Sequence, residues 1–277
     1  MALYSHNVSY VSRRQGRSIA AVSAYRNGEV LYDDYNGETY DYSDRQDVLY
    51  KGILLPPDAP RDFEDRQTLV SAINASERRS DARTAREIKI ALPNDIPTLE
   101  EWVALVTDYI SDSFVKLGMC ADFAIHEGVL DERRKPRSIE PVFVRQNNPH
   151  AHILLTTRFV DRNGFAQKCR GWDKRHYVTQ WRKEWADIQN KWFERLGLNV
   201  RVSDKSLVDQ GIFDRESTKH LGPTVMALEL RGIRTGRGDI YRETMTRNKE
   251  RELERVLERQ LVREREMERD REFERSR

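Results

Sequence analysis

Two histidines, His150 and His152, lie two residues apart in the segment 147–155, which runs Asn-Asn-Pro-His-Ala-His-Ile-Leu-Leu. An alternating pattern after an Asn-Asn-Pro turn predicts a β-strand, and residues two apart in a strand share one face of the sheet. Two imidazoles on one open face make half of a candidate site for a divalent metal. Two ordinary surface histidines would give the same pattern, so the surrounding residues have to decide.

The chain has six histidines, and a third, His126, can join this pair. Residues 120–126 alternate, with apolar Phe123 and Ile125 on one phase and His126 on the other. If this strand and the His150 strand are antiparallel neighbours, the end of one lies beside the start of the next, and the three imidazoles converge. Glu87 lies on the polar phase of another alternating segment, 86–92, and is a fourth candidate member of the site.

Several further elements are predicted around these residues. A first strand is expected at 2–10, and Asn36-Gly37, between two Tyr-rich segments, favours a hairpin with a type I′ turn. Ser18 can cap a short helix that ends near Gly28. The remaining predicted helices cover 62–76, the segment from a Thr98–Glu101 capping box to Gly118, and 179–196.

The segments 179–196 and 243–277 differ in composition. The helix at 179–196 repeats Trp181, Trp185 and Trp192 at helical spacing, so we expect these rings in the core rather than stacked on nucleic-acid bases. From Glu243 onward the chain is nearly all Glu and Arg. This composition is typical of a solvated helix or of a loose coiled-coil partner.

Composition limits the function classes. Among 277 residues 34% are charged, yet the net charge is only +2. Arginines nevertheless cluster at 13–17, 133–137 and 231–242, and such clusters suit phosphate oxygens. Two cysteines are too few for a disulfide framework and fit a reducing cytoplasm. No apolar run reaches membrane-spanning length, so we expect a cytoplasmic protein without membrane insertion.

These residues together resemble the MobA/MobL (MOB-Q type) plasmid mobilisation relaxases of the HUH endonuclease superfamily. The resemblance covers residues 2 to about 242. It is carried by the order and spacing of several short motifs, which are Ala24-Tyr25, Arg86-Glu87-Ile88, Ala124-Ile125-His126, Asn148-Pro149-His150-Ala151-His152, Trp181 to Trp185, His220-Leu221-Gly222-Pro223 and Arg231-Gly232-Ile233-Arg234-Thr235. The long connection at 127–145 departs from the family pattern and looks like a loop insertion.

The resemblance implies an α+β fold with a central antiparallel sheet that carries the histidines, helices on one face and the nucleophile on a helix over the other. It implies that Tyr25 attacks a phosphodiester at the transfer origin and that His126, His150 and His152 bind a divalent metal. It places Glu87 beside the site, to orient a histidine or to assist proton transfer. Mn²⁺ or Mg²⁺ is the expected ion, because the DNA would supply oxygen ligands.

The resemblance also implies the partners and the domain plan. The expected partners are single-stranded and supercoiled plasmid DNA at the transfer origin, relaxosome accessory proteins and the coupling protein of a type IV secretion system. A bacterial cytoplasmic location is expected, with transfer to the recipient cell alongside the DNA. We expect a relaxase domain at 1–242, followed by a Glu/Arg-rich helical tail at 243–277.

Three alternative functions remain open at this point. Rolling-circle replication initiators and single-strand transposases share the His-x-His and tyrosine chemistry. A non-catalytic DNA-binding accessory protein would carry the same histidines as ordinary surface residues. A structural protein organised by the Glu/Arg tail fits the well-patterned first 240 residues poorly.

Overall fold

A computed structural model describes residues 4–128, 148–219 and 221–275. These residues form two compact units, one of residues up to Asp204 and one from Lys205 onward. The arginine cluster at 133–137, most of the predicted insertion at 127–145 and His220 lie outside the described residues. The predicted domain boundary near residue 242 stays a prediction.

The first unit contains nine strands and four α-helices among its described residues. In chain order they are β1 (His6–Ser12), α1 (Ile19–Asn27), β2 (Val30–Asp33), β3 (Glu38–Asp41), β4 (Val48–Leu54), α2 (Arg66–Ser76), β5 (Arg83–Ala91), α3 (Leu99–Ser113), β6 (Ala121–His126), β7 (His150–Thr156), β8 (Arg158–Asp161), β9 (Gly164–Lys168) and α4 (Arg175–Arg195).

Five of these strands form the central sheet, in the order β1-β5-β7-β6-β4. Every neighbouring pair is antiparallel. In the register between β6 and β7, His126 lies directly opposite His150. The antiparallel pairing expected of these two strands, and the α+β fold class, are therefore confirmed.

One face of the sheet is apolar and is covered by α3 and α4. Ile88, Phe123 and Ile153 point into this layer, where they meet fully buried Trp181 and Trp185. At the start of α3 the Thr98 hydroxyl accepts a hydrogen bond from the backbone N–H of Glu101, as the capping box predicts. The prediction that the tryptophans belong to the core is confirmed.

The other face packs against α1 and α2 and is partly polar. Helix α1 begins after Ser18, whose hydroxyl accepts from Ala21 N–H, and ends at Gly28, whose φ of 60° suits a residue without Cβ. Buried Asp122 of β6 accepts hydrogen bonds from Ser23 at 2.6 Å and Asn27 at 3.0 Å, both on α1. Arg66 of α2 forms an ion pair with the same carboxylate at 2.9 Å. Asp122 thus fixes the helix that carries Tyr25.

The structure corrects the expectation for the loop between β2 and β3. The connection between β2 and β3 is four residues long, and Gly37, with φ 72°, is followed directly by β3. Since Asn36 does not have positive φ, the predicted type I′ turn is wrong. The carboxylate of Asp33 instead accepts from Tyr35 N–H and from the Asn36 side chain, which stabilises the wider loop.

The edge strand β4 was not predicted. Its sequence, Val-Leu-Tyr-Lys-Gly-Ile-Leu, lacks regular alternation, and it forms because β6 offers it a partner. The β8–β9 hairpin was also missed.

The second unit contains α5 (Pro223–Leu230) and the long helix α6 (Gly236–Arg275). Within this unit Glu229 accepts from Thr235 and Arg242, and Glu216 forms ion pairs with Arg247 and Arg251. The predicted charged C-terminal helix is therefore confirmed. No helix in the described part of the chain is both long enough and apolar enough to span a membrane.

Replacing Asp122 by Ala should destabilise the first unit. Arg66, whose side chain is 10% exposed, would lose its buried counter-charge and retain the more exposed Glu29, and Ser23 and Asn27 would each lose one hydrogen bond. Breaking a buried ion pair from one side costs about 3–5 kcal/mol. Urea unfolding of Asp122→Ala measures the loss, with Asp112→Ala on exposed α3 surface as the control. A change below 1 kcal/mol, about what an exposed pair contributes, would contradict this anchoring role.

Candidate metal centre and its surroundings

Three histidines meet at one end of the polar sheet face. The ring centroids of His126, His150 and His152 are 5.0 to 5.3 Å apart, so the rings form a nearly equilateral triangle. One ring nitrogen from each residue lies within 4.8 Å of the others, close enough to bind a single ion. The register of β6 against β7 produces this triangle, because it sets His126 opposite His150 and leaves His152 one pleat further on the same face.

Each imidazole has one nitrogen engaged by an oxygen acceptor. His152 Nδ1 lies 3.0 Å from Glu87 Oε1, and His150 Nδ1 lies 2.8 Å from the backbone oxygen of Asn148. His126 Nε2 lies 2.7 Å from the backbone oxygen of Arg26. When the engaged nitrogen carries the proton, the other nitrogen presents a lone pair, which is the form that a metal ligand needs. The three rings therefore fit a metal site.

The charge state of the rings agrees with this arrangement. Burial, aided by the positive charge of Lys89, lowers the pKa of His150 to about 4. Burial likewise lowers the pKa of His152 to about 3, although the hydrogen bond to Glu87 acts in the opposite direction. Burial also lowers the pKa of His126 below its ordinary value. All three imidazoles are neutral near pH 7, as metal binding requires.

Glu87 of β5 accepts hydrogen bonds from four side chains at the site. Oε1 accepts from His152 and from Arg26 Nε at 2.8 Å, and Oε2 accepts from Arg17 at 3.2 Å and from Ser9 at 3.3 Å. Burial alone would raise the pKa of Glu87, but the hydrogen bond from His152 and the charge of Arg26 outweigh it, and the pKa lies well below its ordinary range. Glu87 is therefore a fixed anion that orients His152.

Tyr25 lies on α1, over the same sheet face as the histidines. Its ring is 42% exposed and packs edge-on against Tyr42, with ring centroids 5.2 Å apart. The Arg45 guanidinium lies 4.0 Å from the centre of the Tyr25 ring and donates to the Tyr25 backbone oxygen at 2.7 Å. The next residue along the helix, Arg26, contacts both His126 and Glu87. The segment that carries Tyr25 is thus joined directly to the histidine cluster.

Sequence reasoning identified His126, His150, His152 and Glu87, and the structure brings these four together. It assigned Arg17 to a phosphate-binding cluster and gave no role to Arg26 or Arg45, whereas these three cations pair with acidic groups of the site. It also missed Lys89, which lies two residues beyond Glu87 on the same face, directly opposite His152. The alternation that selected Glu87 also selects Lys89, so this signal was present in the sequence.

Several arginines of the two described clusters, at 13–17 and 231–242, are bound to other residues of the protein. In the first cluster Arg13 bonds to Asn74 and Arg17 bonds to Glu87, whereas exposed Arg14 bonds to no described residue. In the cluster at 231–242, Arg234 and Arg242 both form ion pairs with Asp239. The DNA contacts expected of these clusters stay predictions, and Arg14 is the best placed member of the first.

Glu87→Gln should weaken metal binding without unfolding the protein. Gln can still accept a hydrogen bond from His152, but it removes the charge that polarises the imidazole and offsets Arg17 and Arg26. Loss of such a carboxylate partner typically lowers metal affinity about 10- to 100-fold. Titration with Mn²⁺ or Co²⁺ measures the affinity, and Glu64→Gln, at an exposed glutamate, is the matched control. Equal affinity in wild type and Glu87→Gln would mean that Glu87 does not support the histidine cluster.

Comparisons with known proteins agree with this geometry. The family model described as the MobA/MobL family matches residues 17–231. A mobilization protein MobL of Acidithiobacillus ferridurans is 31% identical over 94% of this chain and 73% of its own length. A probable mobilization protein MobA of Bifidobacterium longum is 30% identical over 94% of this chain, which spans 51% of that relative.

One solved structure is similar over about three quarters of this chain. It was solved in a study of the molecular basis of vancomycin resistance transfer in Staphylococcus aureus, and it superimposes with a TM-score of 0.63 and 32% identity, covering 74% of this chain and 100% of that one. The family match covers well over half of the chain, and it includes the strands and the helix that build the histidine site. On this evidence, the chain belongs to the MobA/MobL family.

Proposed function

We propose that this protein is a relaxase, which nicks one strand of plasmid transfer-origin DNA through Tyr25 and later rejoins it. The observation that carries the proposal is the meeting of three neutral imidazoles on one sheet face, directly below the helix that presents Tyr25. Membership of a mobilization protein family supports the substrate class.

The Tyr25 oxygen would act as the nucleophile. It forms a bond to the scissile phosphorus while the bond from phosphorus to the 3′ oxygen breaks, and the leaving oxygen becomes a free 3′-hydroxyl. The protein then holds the 5′ end as a phosphotyrosine. One phosphodiester replaces another, so the reverse attack by a 3′-hydroxyl reseals the strand. Since 42% of Tyr25 is exposed, a DNA strand can reach the ring.

A phenol with an ordinary pKa near 10 is a weak nucleophile at neutral pH and needs assistance. His126, His150 and His152 would hold a divalent ion, with Mn²⁺ or Mg²⁺ the expected ion. When bound, such an ion offsets the charge that develops on the phosphate oxygens. Glu87 would act by holding His152 in one orientation. Proton transfer by Glu87 is disfavoured, because its pKa lies far below neutrality and it already accepts four hydrogen bonds.

The partners proposed for this function are single-stranded and supercoiled plasmid DNA, relaxosome accessory proteins and a type IV secretion coupling protein. A cytoplasmic location and transfer into the recipient cell with the DNA belong to the same proposal. The chain spans 73% and 51% of the two relatives compared above, so activities of the remaining parts of those proteins are not extended to it.

A tiling experiment tests the function itself. Single-stranded oligonucleotides that tile the flanks of the gene are incubated with the protein and a divalent ion, and covalent protein–DNA adducts are sought on denaturing gels. An adduct with one transfer-origin sequence supports the relaxase. Cleavage of a replication origin instead would favour a rolling-circle initiator, and binding without any adduct would favour an accessory protein.

Tyr25→Phe should bind the origin oligonucleotide with wild-type affinity but form no adduct. Phe retains the packing against Tyr42 and loses only the attacking oxygen. Gel shift measures binding and denaturing electrophoresis measures the adduct. Tyr32→Phe, at a tyrosine that is 45% exposed, serves as the control and should react normally. A normal adduct yield in Tyr25→Phe would transfer the nucleophilic role to another tyrosine, with Tyr10 and Tyr32 the first to examine.

A metal chelator should abolish nicking and leave single-strand binding largely intact. His150→Ala and His152→Ala should each lose most cleavage, because two imidazoles hold a divalent ion much less firmly than three. His126→Ala is expected to retain more, since His150 and His152 remain adjacent on one strand. His176→Ala, on α4 outside the cluster, is the control. Nicking at full rate in chelator would refute the three-histidine site.

A further inference from the structure

Lys89 lies beside the histidine cluster, where its positive charge helps to lower the pKa of His150 and His152. It is on β5, directly opposite His152 of β7, so the two side chains leave the sheet on the same face. Residues directly opposite one another in an antiparallel pair have Cβ atoms about 4.5–5.5 Å apart. The flexible four-carbon stem of lysine therefore reaches over the space in front of the three imidazoles.

The other cations around this space are already engaged by acidic groups. Arg17 and Arg26 form ion pairs with Glu87 at 3.2 and 2.7 Å. Arg45 is paired with Asp47, and Lys51 lies 2.7 Å from Glu29. Lys89 is exposed and makes no hydrogen bond or ion pair with any residue in the described ranges.

The charge balance of the site is therefore positive. One carboxylate, that of Glu87, is shared by two guanidinium groups, and the imidazoles are neutral. The Lys89 ammonium adds a further positive charge. Burial and the charge of Arg26 lower the pKa of Lys89, and Glu87, which is already paired with both guanidinium groups, acts in the opposite direction. A divalent ion at the histidines would increase this excess further. A phosphate group supplies the missing negative charge, and lysine is a common ligand of phosphate oxygens.

The strand register sets the residues on either side of Lys89 in the sheet. The neighbour of Lys89 on the edge strand β1 is Asn7, which is exposed, and its neighbour on the other side is His152. On the far side of His152 the facing residue is Ala124, whose side chain is a single methyl group. The row ends at Lys51 of β4, which is paired with Glu29, so Lys89 is the lysine of this row that no described ion pair engages.

We propose that Lys89 binds a phosphate of the cut strand within one nucleotide of the scissile phosphodiester, and so positions that bond in front of Tyr25. This inference rests on the proposed nicking function. Lys89 would act by binding the DNA. It would not support the metal, because its positive charge disfavours a cation bound nearby. Removing Lys89 should therefore leave metal affinity unchanged or increase it, which no supporting residue of the metal site would do.

The experiment compares wild type with Lys89→Gln, Lys89→Arg and the control Lys116→Gln. Lys116 is an exposed lysine paired with Asp112 near the end of α3, on the opposite side of the sheet. The probe is the single-stranded oligonucleotide that tiling identifies, and a series of the same oligonucleotide in which one phosphate at a time is a neutral methylphosphonate. Nicking kinetics, the salt dependence of binding and Mn²⁺ affinity are measured for each protein.

Lys89→Gln is expected to lower kcat/KM for nicking about tenfold or more, as loss of a hydrogen bond to a charged group does. The log–log salt slope of single-strand binding should fall by roughly 0.7, the value for one phosphate contact. Lys89→Arg should recover most of the activity, and Lys116→Gln should behave as wild type. One methylphosphonate within a nucleotide of the nick should slow wild type and have no further effect on Lys89→Gln.

Two results would overturn the inference. The first is nicking by Lys89→Gln at the wild-type rate, or with the wild-type response to every methylphosphonate. The second is a fall in Mn²⁺ affinity that accompanies the loss of nicking, since this would mean that Lys89 stabilises the metal site. If wild type itself forms no adduct on any oligonucleotide, the proposed function fails, and that outcome is distinct from both.

Discussion

The buried carboxylate of Glu87 holds the site together. Its two oxygens accept hydrogen bonds from Ser9 on β1, His152 on β7, and Arg17 and Arg26 at the two ends of the α1 segment. Four donors keep this group ionised despite its burial, and in return it fixes the ring of His152, a proposed metal ligand, and the helix that presents Tyr25. Without this anion, two guanidinium groups would face the three imidazoles with no counter-charge beside them.

The two faces of the central sheet have different roles, one in the hydrophobic core and the other in the candidate site. One face is apolar and is sealed by α3, α4 and the buried tryptophans, which removes a large hydrophobic surface from water. Because that layer stabilises the fold, the other face can carry buried polar groups such as Asp122. Burying such a group without hydrogen-bond partners would lower the stability of the protein. The histidines lie at the end of this polar face, where burial keeps them neutral.

Much of the fold and of the site follows from local sequence patterns. Alternation identified β5, β6 and β7, and the Ser18 and Thr98 caps identified the starts of α1 and α3. Strand β4 was not predicted, because its formation depends on pairing with β6, which a local pattern does not encode. The type I′ prediction failed because Asp33 binds the following loop and widens it. Ion pairs such as Arg26 with Glu87 join residues far apart in sequence, so only the folded chain reveals which cations are free.

The most direct measurement identifies the residue that is joined to DNA. Wild-type protein is reacted with an intact single-stranded oligonucleotide that contains the nick site, the adduct is digested with nuclease and trypsin, and the peptides are sequenced by mass spectrometry. Cleavage after Arg17 and Arg26 gives the peptide 18–26, in which Tyr25 is the one tyrosine. The expected result is this peptide with a 5′-phosphorylated nucleotide on Tyr25, formed in the presence of a divalent ion and absent in chelator. A nucleotide on any other residue, or an adduct that forms equally well in chelator, would contradict the joint action of Tyr25 and the three histidines.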